Sequence, residues 1–524
     1  MRSARTSDWP CLTAATPIRT RRTPRPHPKF PSRGDSAMLM EHRHGKLFVD
    51  GRWIAARGER MPIVSPVSEE LLADVASASP ADVDLAVAAA RVAFDAGPWP
   101  RMSLDERIAV VRRLRGLLVD HAEQIADLIT TEMGCPITQS RTIQAANPVR
   151  VIDAYLDFIG EYPFRTVRSG PLGNALVTRE PVGVVGAVVP WNVPMGISVQ
   201  KMVPAILAGC TFVLKPAPQT TLDAYLLAEL IERAGFPAGV INVVPAEREA
   251  SEHLVAHRGV DKVTFTGSTG AGRRIASLCG ENIRRVTLEL GGKSAAVILD
   301  DADMNATAEL LRMGSFRNNG QVCTLKTRIL VSEERESELL DSLAAMIDTM
   351  AVGDPHDDAT EIGPVFSERH RTTVEKYIRI GQEEGGRIIR GGGRPAGLEH
   401  GWYVEPTIIA GVSRGATVAQ EEIFGPVVSV MTYRDEEDAI AIANDSQYGL
   451  NGAVFSSDLE RGLQVASRLR TGVVELNGSP IGLQSPFGGF KMSGIGRENG
   501  VEGLEAYTEL RSIGLPAEFA KSLA

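Results

Sequence analysis

The chain has 524 residues, of which 43% are hydrophobic and 23% are charged, and its formal net charge is -9. This length exceeds a single compact core and predicts two or three domains, and the composition is typical of a globular protein. The acidic balance argues against a nucleic-acid partner, which requires a basic face.

The first 37 residues are rich in Arg, Pro, Ser and Thr and contain almost no acidic residues. The prolines from Pro17 to Pro31 exclude the amphipathic helix of a transit peptide, and no apolar segment typical of a secretion signal accompanies them. Two interpretations stay open. Residues 1–37 form a disordered basic tail, or translation begins at Met38 or Met40.

From Lys46 onward the sequence has the patterns of folded structure. Residues Leu47 to Trp53 predict a hairpin that turns at an Asp-Gly pair. Ser79 and Ser103 each open a capping box, and apolar residues then recur at helical spacing. These patterns predict two amphipathic helices that contribute to a core.

Between Pro181 and Leu299 predicted strands alternate with predicted helices. The nearly continuous apolar run from Val182 to Val189 is typical of a strand that is buried on both faces. The alternation predicts an α/β fold with a parallel, doubly wound sheet, whose ligand sites lie at the carboxyl ends of the strands. The other predicted elements are helices at Gln200–Ala208 and Leu222–Ala234 and strands at Thr211–Leu214, Val240–Val244, Val263–Phe265 and Val286–Leu288.

Three candidate functional groups follow predicted strands. Lys215 is placed where an ammonium can meet ribose or phosphate oxygens, although a solvated loop lysine has the same pattern. Residues Gly267 to Gly272 have the spacing G-x-x-G-x-G, which fits either a phosphate at a helix N-terminus or a plain turn. Glu289 ends an apolar strand, where poor solvation raises a carboxyl pKa towards the working range of a general base. Pairing with Lys293 is the alternative.

Cys323 lies between a predicted helix, Met304 to Met313, and a predicted strand, Thr327 to Val331. Its Asn, Gly and Gln neighbours offer polar groups that favour the thiolate, which is the nucleophilic form of cysteine. A small buried apolar side chain is the alternative interpretation. The five cysteines lack a C-x-x-C pair and indicate a reduced, cytoplasmic protein. The sequence contains no metal-ligand or P-loop motif and no apolar run that is long enough to span a membrane.

Six stretches, in this order, resemble the NAD(P)-dependent aldehyde dehydrogenase superfamily of the hydrolytic, non-CoA-acylating type. The resemblance extends from about Lys46 to Ile513. The matching stretches are Pro190–Pro194, Phe265–Gly270, Leu288–Ser294, Gly320–Cys323, Glu421–Val427 and Pro486–Lys491.

The resemblance implies a mechanism. Cys323 would attack the aldehyde carbon, and the Asn192 amide with the Cys323 backbone N–H would hold the oxyanion. Hydride would pass to the nicotinamide, and water activated by Glu289 would hydrolyse the thioester. Lys201 and Glu498 match residues that are linked to proton transfer around this base.

The resemblance also implies NAD as the cofactor. Glu422 would bind the hydroxyls of the nicotinamide ribose, and Phe424 would pack against that ribose. Many NAD-using members carry a glutamate three residues after the lysine that matches Lys215. This chain has Pro218 there, so NADP is an alternative. The positions that match cofactor contacts are Val189, Trp191, Lys215, Pro218, Gly267, Ser268, Leu290, Glu422 and Phe424.

Residues that match the aldehyde tunnel are mostly apolar and predict an uncharged, medium-sized or aromatic aldehyde. Arg317 precedes Cys323 by six residues, as in relatives that act on succinic semialdehyde, but its partner arginine is replaced by Gln200. Arg317 is therefore interpreted as structural, and a carboxylated semialdehyde is the second candidate. A CoA-acylating enzyme and a catalytically silent binding or structural protein are alternatives, and the presence of Glu289 argues against the former. The predicted tunnel residues are Val193, Gln200, Ile481 and Phe487.

The resemblance implies three structural units. A Rossmann-like cofactor domain with a parallel sheet would comprise residues 46–162 and 182–290, and an α/β catalytic domain would comprise residues 291–492. A small β bridging unit would comprise residues 163–181 and 493–524. Its projecting hairpin near Phe164 to Arg179 and its terminal strand, Thr508 to Ile513, predict a homodimer or homotetramer.

Overall fold

Residues 43–523 are described by the computed structural model. The predicted basic tail at 1–37 and the alternative starts at Met38 and Met40 lie outside these residues. The predicted α/β class is confirmed, because strands alternate with helices through most of the described chain.

The predicted hairpin and both predicted capping boxes are present. Strands β1 (Lys46–Val49) and β2 (Arg52–Ala55) pair around Asp50 and Gly51, whose φ values of 54° and 68° suit a tight hairpin turn. Ser79 and Ser103 cap helices α1 (Pro80–Asp95) and α2 (Leu104–Asp120). The next elements are strands β3 (Arg60–Val64) and β4 (Leu71–Ala76), helices α3 (Ala122–Met133) and α4 (Ala146–Phe158), and a short helical segment at Ile137–Gln144.

The first large sheet contains the predicted parallel core. Its central strands are β7 (Val184–Val188), β8 (Thr211–Lys215), β9 (Ile241–Val243), β10 (Lys262–Thr266) and β11 (Arg285–Glu289). In the described chain its order is β19-β11-β10-β7-β8-β9-β1-β2. Strand β19 (Gly494–Ile495) pairs antiparallel with β11 at one side of the parallel core, and β1 pairs antiparallel with β9 at the other. Its helices are α5 (Pro194–Ala208), α6 (Leu222–Ala234), α7 (Arg248–Ala256) and α8 (Thr269–Glu281).

Helix α5 begins earlier than the sequence predicts, and α8 begins within the glycine-rich segment. Helix α5 begins at Pro194 because proline fits the first helical position, where no N–H bond is required. Ser268 caps α8, which begins at Thr269, so most of the glycine-rich segment forms the first helical turn. Both helices therefore begin close to the carboxyl ends of β7 and β10.

The second large sheet follows directly after β11. Strand β12 (Ser294–Ile298) is central. Its consecutive residues Val297 and Ile298 point to opposite faces of the sheet and enter two separate apolar cores. In the described chain the order is β14-β15-β16-β13-β12-β17-β18. The remaining strands are β13 (Lys326–Ser332), β14 (Arg387–Arg390), β15 (Thr407–Ala410), β16 (Val427–Tyr433), β17 (Gly452–Phe455) and β18 (Glu475–Leu476).

Helices cover both faces of this second sheet. Helix α9 (Met304–Phe316) leads to the Cys323 segment, which then enters β13. The others are α10 (Glu336–Asp348), α11 (Glu368–Glu383), α12 (Thr417–Gln420), α13 (Glu436–Asn444) and α14 (Leu459–Ser467).

A third, antiparallel sheet joins distant parts of the chain. Strands β5 (Arg165–Gly170) and β6 (Gly173–Pro181) form the predicted hairpin, and β20 (Thr508–Leu515) pairs with β6. Helices α15 (Gly500–Glu505) and α16 (Ala517–Leu523) flank β20 in sequence. A search of residues 43–523 finds no helix with both the length and the apolar character needed to cross a membrane.

Candidate active site

The segment before Cys323 has an unusual backbone. Asn318, Asn319 and Gly320 have successive φ values of 54°, 59° and 76°, in the left-handed region that few residues tolerate. A Cβ atom at Gly320 would lie 2.1 Å from the Gly425 carbonyl carbon, so glycine is required there. This backbone turns the chain sharply between α9 and the strand that follows Cys323.

Buried hydrogen bonds hold this turn in place. The Asn319 side chain donates to the carbonyls of Gly134 and Pro364 at 2.8 Å each and accepts from the Gly363 N–H at 2.7 Å. The Gln321 side chain accepts from the Phe366 N–H at 3.0 Å. The nucleophile segment is therefore anchored to parts of the chain that are remote in sequence.

Asn192 lies against the same segment. Its side chain is buried, and its Nδ2 donates to the Gln321 carbonyl at 2.9 Å. The side-chain amides of Gln144 and Asn318 donate to the backbone carbonyl of Asn192. An amide nitrogen carries two hydrogens, so a second N–H remains for a substrate oxygen.

The chemistry of Cys323 differs from the sequence prediction. Burial, followed by the charges of Glu422 and Glu289, raises the pKa of the Cys323 thiol to about 12, and Arg317 opposes this rise. The prediction that the polar neighbours favour the thiolate is therefore wrong for this structure. Burial of the sulfur is the main reason for the difference, and the two carboxylates, which the sequence does not place near the sulfur, add to it.

Glu289 is buried at the carboxyl end of β11. Neither of its carboxylate oxygens has a hydrogen-bond partner among residues 43–523. Burial, followed by the charge of Glu498, raises its pKa well above the usual range, as predicted from sequence. Lys293 is not its partner, since the Lys293 Nζ also has no hydrogen bond within the described residues. A Cβ atom at Gly488 would lie 2.7 Å from Glu289 Oε1, so this glycine leaves space beside the carboxylate.

Lys201 and Glu498 form a buried ion pair near this base. The Lys201 Nζ also donates to Thr264 Oγ1 at 3.3 Å, and Gln200 Nε2 donates to Glu498 Oε2 at 3.0 Å. Sequence reasoning assigned Gln200 to the substrate tunnel, whereas here its amide contacts the ion pair. The five predicted catalytic residues thus occupy one region, and Gln200 joins their charged part.

Two predicted cofactor residues belong to an aromatic cluster. The Trp191 ring stacks on Phe366 with centroids 3.7 Å apart and meets the Phe424 ring edge at 5.5 Å. His370 Nε2 bonds the carbonyl of Phe424, whose φ is 63°. Sequence reasoning missed Phe366 and His370, because nothing in their spacing relates them to Trp191.

The other polar cofactor candidates lie at strand and helix ends. The Gly292 N–H donates to Glu422 Oε1 at 3.0 Å, and burial raises the Glu422 pKa to about 7. Burial lowers the pKa of the Lys215 ammonium to about 8, and no carboxylate among residues 43–523 lies within ion-pair distance of it. Ser268 Oγ caps α8, and a Cβ atom at Gly270 would meet nothing within 4 Å.

These features fit a dinucleotide. The open N-terminus of α8 and Lys215, which forms no ion pair within the described residues, suit phosphate and ribose oxygens. The Glu422 carboxylate, held by the Gly292 N–H, suits ribose hydroxyls. Val189 and Leu290 are buried beside these groups in sequence, and Pro218 is half-buried. Gly267 is crowded by the Phe265 ring, which a Cβ atom would approach to 2.5 Å.

A cavity of about 340 Å³ lies beside the nucleophile segment. Ile481 and Phe487 line it, as does Arg317, whose guanidinium donates to Thr324 Oγ1 at 2.8 Å. Val193 and Gln200 are not among the residues that line it. The structure therefore places Arg317, which sequence reasoning interpreted as structural, at the cavity wall.

A separate polar cluster lies between α1 and α7. Asp84 Oδ1 is 2.6 Å from His253 Nε2 and 3.2 Å from His257 Nε2, close enough for a metal set in principle. The Gly259 N–H donates to His257 Nδ1 at 2.9 Å, so a neutral His257 carries its proton on Nε2. This proton faces Asp84, and the cluster is satisfied by hydrogen bonds alone.

The parallel sheet and the groups at its strand ends have the form of a nicotinamide-dependent oxidoreductase. A comparison with family models identifies the family within this class. The model of the aldehyde dehydrogenase family matches residues 53–513, so the chain belongs to that family. It is an enzyme that oxidises aldehydes with NAD.

Individual relatives match over nearly their whole length. A geranial dehydrogenase of Castellaniella defragrans is 44% identical, over 91% of this chain and 99% of the relative. A 3-succinoylsemialdehyde-pyridine dehydrogenase of a Pseudomonas species is 40% identical, over 89% of this chain and 98% of the relative. The crystal structure of a Mycobacterium tuberculosis aldehyde dehydrogenase complexed with NAD+ is 43% identical with a TM-score of 0.89, over 90% of this chain and 98% of that one.

Proposed function

We propose that this enzyme oxidises an uncharged, medium-sized or aromatic aldehyde to its carboxylic acid through a thioester on Cys323. The observation that carries the proposal is the buried, unpartnered carboxylate of Glu289 in the region of Cys323. An unpaired buried carboxylate is costly for stability alone, and a raised pKa suits a base that takes a proton from water.

The chain's own residues support each part of this reaction. The sulfur of Cys323 bonds to the carbonyl carbon, and because its pKa is about 12 the thiol must transfer its proton to solvent water during the attack. The free Asn192 N–H and the Cys323 backbone N–H stabilise the oxyanion. Bound NAD would supply the acceptor for the hydride that leaves the aldehyde carbon. Glu289 then takes a proton from water, whose oxygen bonds to the acyl carbon as the Cys323 sulfur leaves.

The residues that would hold the cofactor follow from the groups described above. Lys215 and the N-terminus of α8 suit the phosphates and the adenosine ribose, and Glu422 suits the nicotinamide ribose. Trp191 and Phe424 supply apolar surface. Pro218 carries no charge that would repel a 2′-phosphate, so NADP remains a second cofactor to test beside NAD.

The substrate proposal rests on the cavity. Apolar side chains, among them Leu310, Met313 and Phe487, supply most of its wall. Arg317 and Lys326 each add a positive charge to the wall, and Glu475, which forms an ion pair with Lys326, adds one negative charge. The dehydrogenase from Castellaniella is named for geranial, an uncharged aldehyde.

A carboxylated semialdehyde is the second candidate. The specific observation in its favour is the Arg317 guanidinium at the cavity wall, which forms no ion pair within 4 Å among residues 43–523. An Arg317→Gln variant separates the two. If the Arg317 charge binds the substrate carboxylate, the variant should lower kcat/KM for carboxylated aldehydes by about 10-fold or more. Its kcat/KM for uncharged aldehydes should stay close to the wild-type value.

The test of the function is nicotinamide reduction across aliphatic, aromatic and carboxylated aldehydes, with NAD and NADP run separately. Cys323→Ala should remove turnover, while Cys279→Ala, which changes a buried cysteine on α8, should retain it. Cys323-independent reduction, or no reduction despite measured cofactor binding, would contradict the proposal.

We also propose that the two large sheets and the three-stranded sheet correspond to the cofactor domain, the catalytic domain and the bridging unit expected from sequence. The exposed Leu510 and Ile513 on β20 and Leu172 at the hairpin tip support association into a homodimer or homotetramer. Light scattering on the purified chain measures this directly. The free cysteines at 135, 210, 279 and 323 support a reducing, cytoplasmic location.

A further inference from the structure

A row of polar residues lies on one face of two strands in the cofactor sheet. Successive residues of a strand point to opposite faces, so alternating residues of β10 and β11 share a face. The opposite face, which includes Val263 and Leu288, enters the apolar core. The register pairs of the polar row are Lys262 with Arg285, Thr264 with Thr287, and Thr266 with Glu289.

This row leads from the surface to the proposed base. Arg285 is exposed at one end, and Glu289 is buried at the other. A strand covered on both faces needs no polar residues for stability, because each one requires a buried partner. The row therefore calls for a reason other than packing.

Lys262 is the buried cation of this row. Its side chain is only 2% exposed, its Nζ donates to Thr287 Oγ1 at 2.7 Å, and it lies 5.1 Å from the centroid of the Tyr507 ring. No carboxylate within residues 43–523 pairs with it at ion-pair distance. A buried lysine that lacks a counter-ion loses its proton readily, because burial penalises its charge.

The groups that face Lys262 come from several elements. Burial and then the charge of Lys201 lower its pKa to about 8, Arg285 acts in the same direction, and Cys210 and Glu498 oppose them. At this pKa the amine alternates between its protonated and neutral forms near neutral pH. When protonated it donates to Thr287, and when neutral it can accept a proton from that hydroxyl.

The ion pair beside the base connects to the same row. The Lys201 Nζ donates to Thr264 Oγ1 at 3.3 Å while it pairs with Glu498. Thr264 and Thr287 are register partners on neighbouring strands. Threonine hydroxyls both donate and accept hydrogen bonds. Within the described residues no direct hydrogen bond joins the side chains of Thr264 and Thr287 or those of Glu289 and Glu498, so a proton that follows this row must cross these two gaps by way of water.

We propose that Lys262 receives the proton that is released during thioester hydrolysis. Resting on the function proposed above, the step begins when Glu289 takes a proton from water and the hydroxyl oxygen bonds to the acyl carbon. The Glu289 proton then moves by way of water to the Glu498–Lys201 pair, and from there along the Thr264 and Thr287 hydroxyls, again bridged by water, to the Lys262 amine. It leaves towards the Arg285 end, and Glu289 is free for the next turnover.

The test uses the full-length chain with Lys262→Met, which cannot carry a proton, and Lys262→Arg, which keeps the charge but does not release a proton near neutral pH. Thr287→Val removes the hydroxyl at constant shape. Thr211→Val, in the same sheet with its hydroxyl bonded to the Ala90 carbonyl, is the matched control.

The expected result is a change in hydrolysis alone. In all three variants the first-turnover burst of nicotinamide reduction stays at the wild-type rate, while steady-state kcat falls by about 10-fold or more and its inflection near pH 8 disappears. The Thr211→Val control keeps the wild-type profile. Recovery of wild-type kcat and pH profile by Lys262→Arg would overturn the proposal, because charge alone would then suffice.

Two other outcomes also decide the question. If burst and steady state fall together with the melting temperature in the Lys262 variants, the residue is structural and the proposal fails. If the wild-type chain shows Cys323-dependent turnover that all three variants match, the proposal fails while the proposed function stands. Absence of Cys323-dependent turnover in the wild type would refute both.

Discussion

Cys323 and Glu289, the proposed nucleophile and the proposed base, are held in opposite ways. The segment before Cys323 has side-chain hydrogen bonds to remote backbone, from Asn319 and Gln321 among others. The Glu289 carboxylate has no hydrogen-bond partner within the described residues. Hydrogen bonds thus fix the position of the proposed nucleophile, whereas burial raises the pKa of the proposed base.

The largest expected effect is that of Glu289→Gln on the rate of thioester hydrolysis. Without the carboxylate, hydrolysis of the thioester should slow by about 100- to 10,000-fold, while the burst of nicotinamide reduction remains. The free energy of unfolding should not decrease, because a buried, unpaired carboxylate is removed. Rapid-mixing kinetics and thermal melts measure both. A matched Glu361→Gln variant, which alters an ion pair with Arg312, should keep wild-type kinetics.

Asn192→Ala tests the oxyanion donor. Loss of one preorganised donor should lower kcat/KM by about 100- to 1,000-fold. The burst rate should fall along with steady-state turnover, in contrast to the Glu289 variant. An unchanged burst rate would exclude Asn192 from the oxidation step.

Asn319→Ala tests the fixed position of the nucleophile. The substitution removes three hydrogen bonds and puts alanine at a φ of 59°. Unfolding free energy should fall by about 3 kcal/mol, and misplacement of the sulfur should lower kcat by up to about 100-fold. Denaturant melts and turnover measure the two effects. Asn305→Ala, on the exposed face of α9, should alter neither by much.

A change of pH alters the reactivity of Cys323 without any substitution. The thiolate is the reactive form, and the Cys323 pKa is raised to about 12, so its fraction rises with pH throughout the accessible range. The rate of alkylation by iodoacetamide should increase about 10-fold for each pH unit from 6 to 9. The labelled position is identified by mass spectrometry, with Cys323→Ala as the blank. A plateau below pH 8 would mean that a nearby group activates the thiol in solution.

Local patterns in the sequence determined most of the fold. The capping boxes at Ser79 and Ser103, the hairpin turn at Asp50 and the apolar strands each depend on residues a few positions apart. Such short-range constraints hold in any tertiary context, so they can be read directly from the chain. The direction of the Glu289 pKa also followed from its place at the end of an apolar strand.

Only the tertiary structure decided the environment of the site. Phe366 reaches Trp191, Asn319 reaches Gly134, and Arg317 reaches the cavity wall through sheet order and loop geometry that spacing along the chain does not encode. The Cys323 pKa rises for the same reason, because desolvation and Coulomb interactions depend on every group that surrounds the sulfur. The sequence thus determined which reactive groups are present, and the fold determined their charge states and their partners.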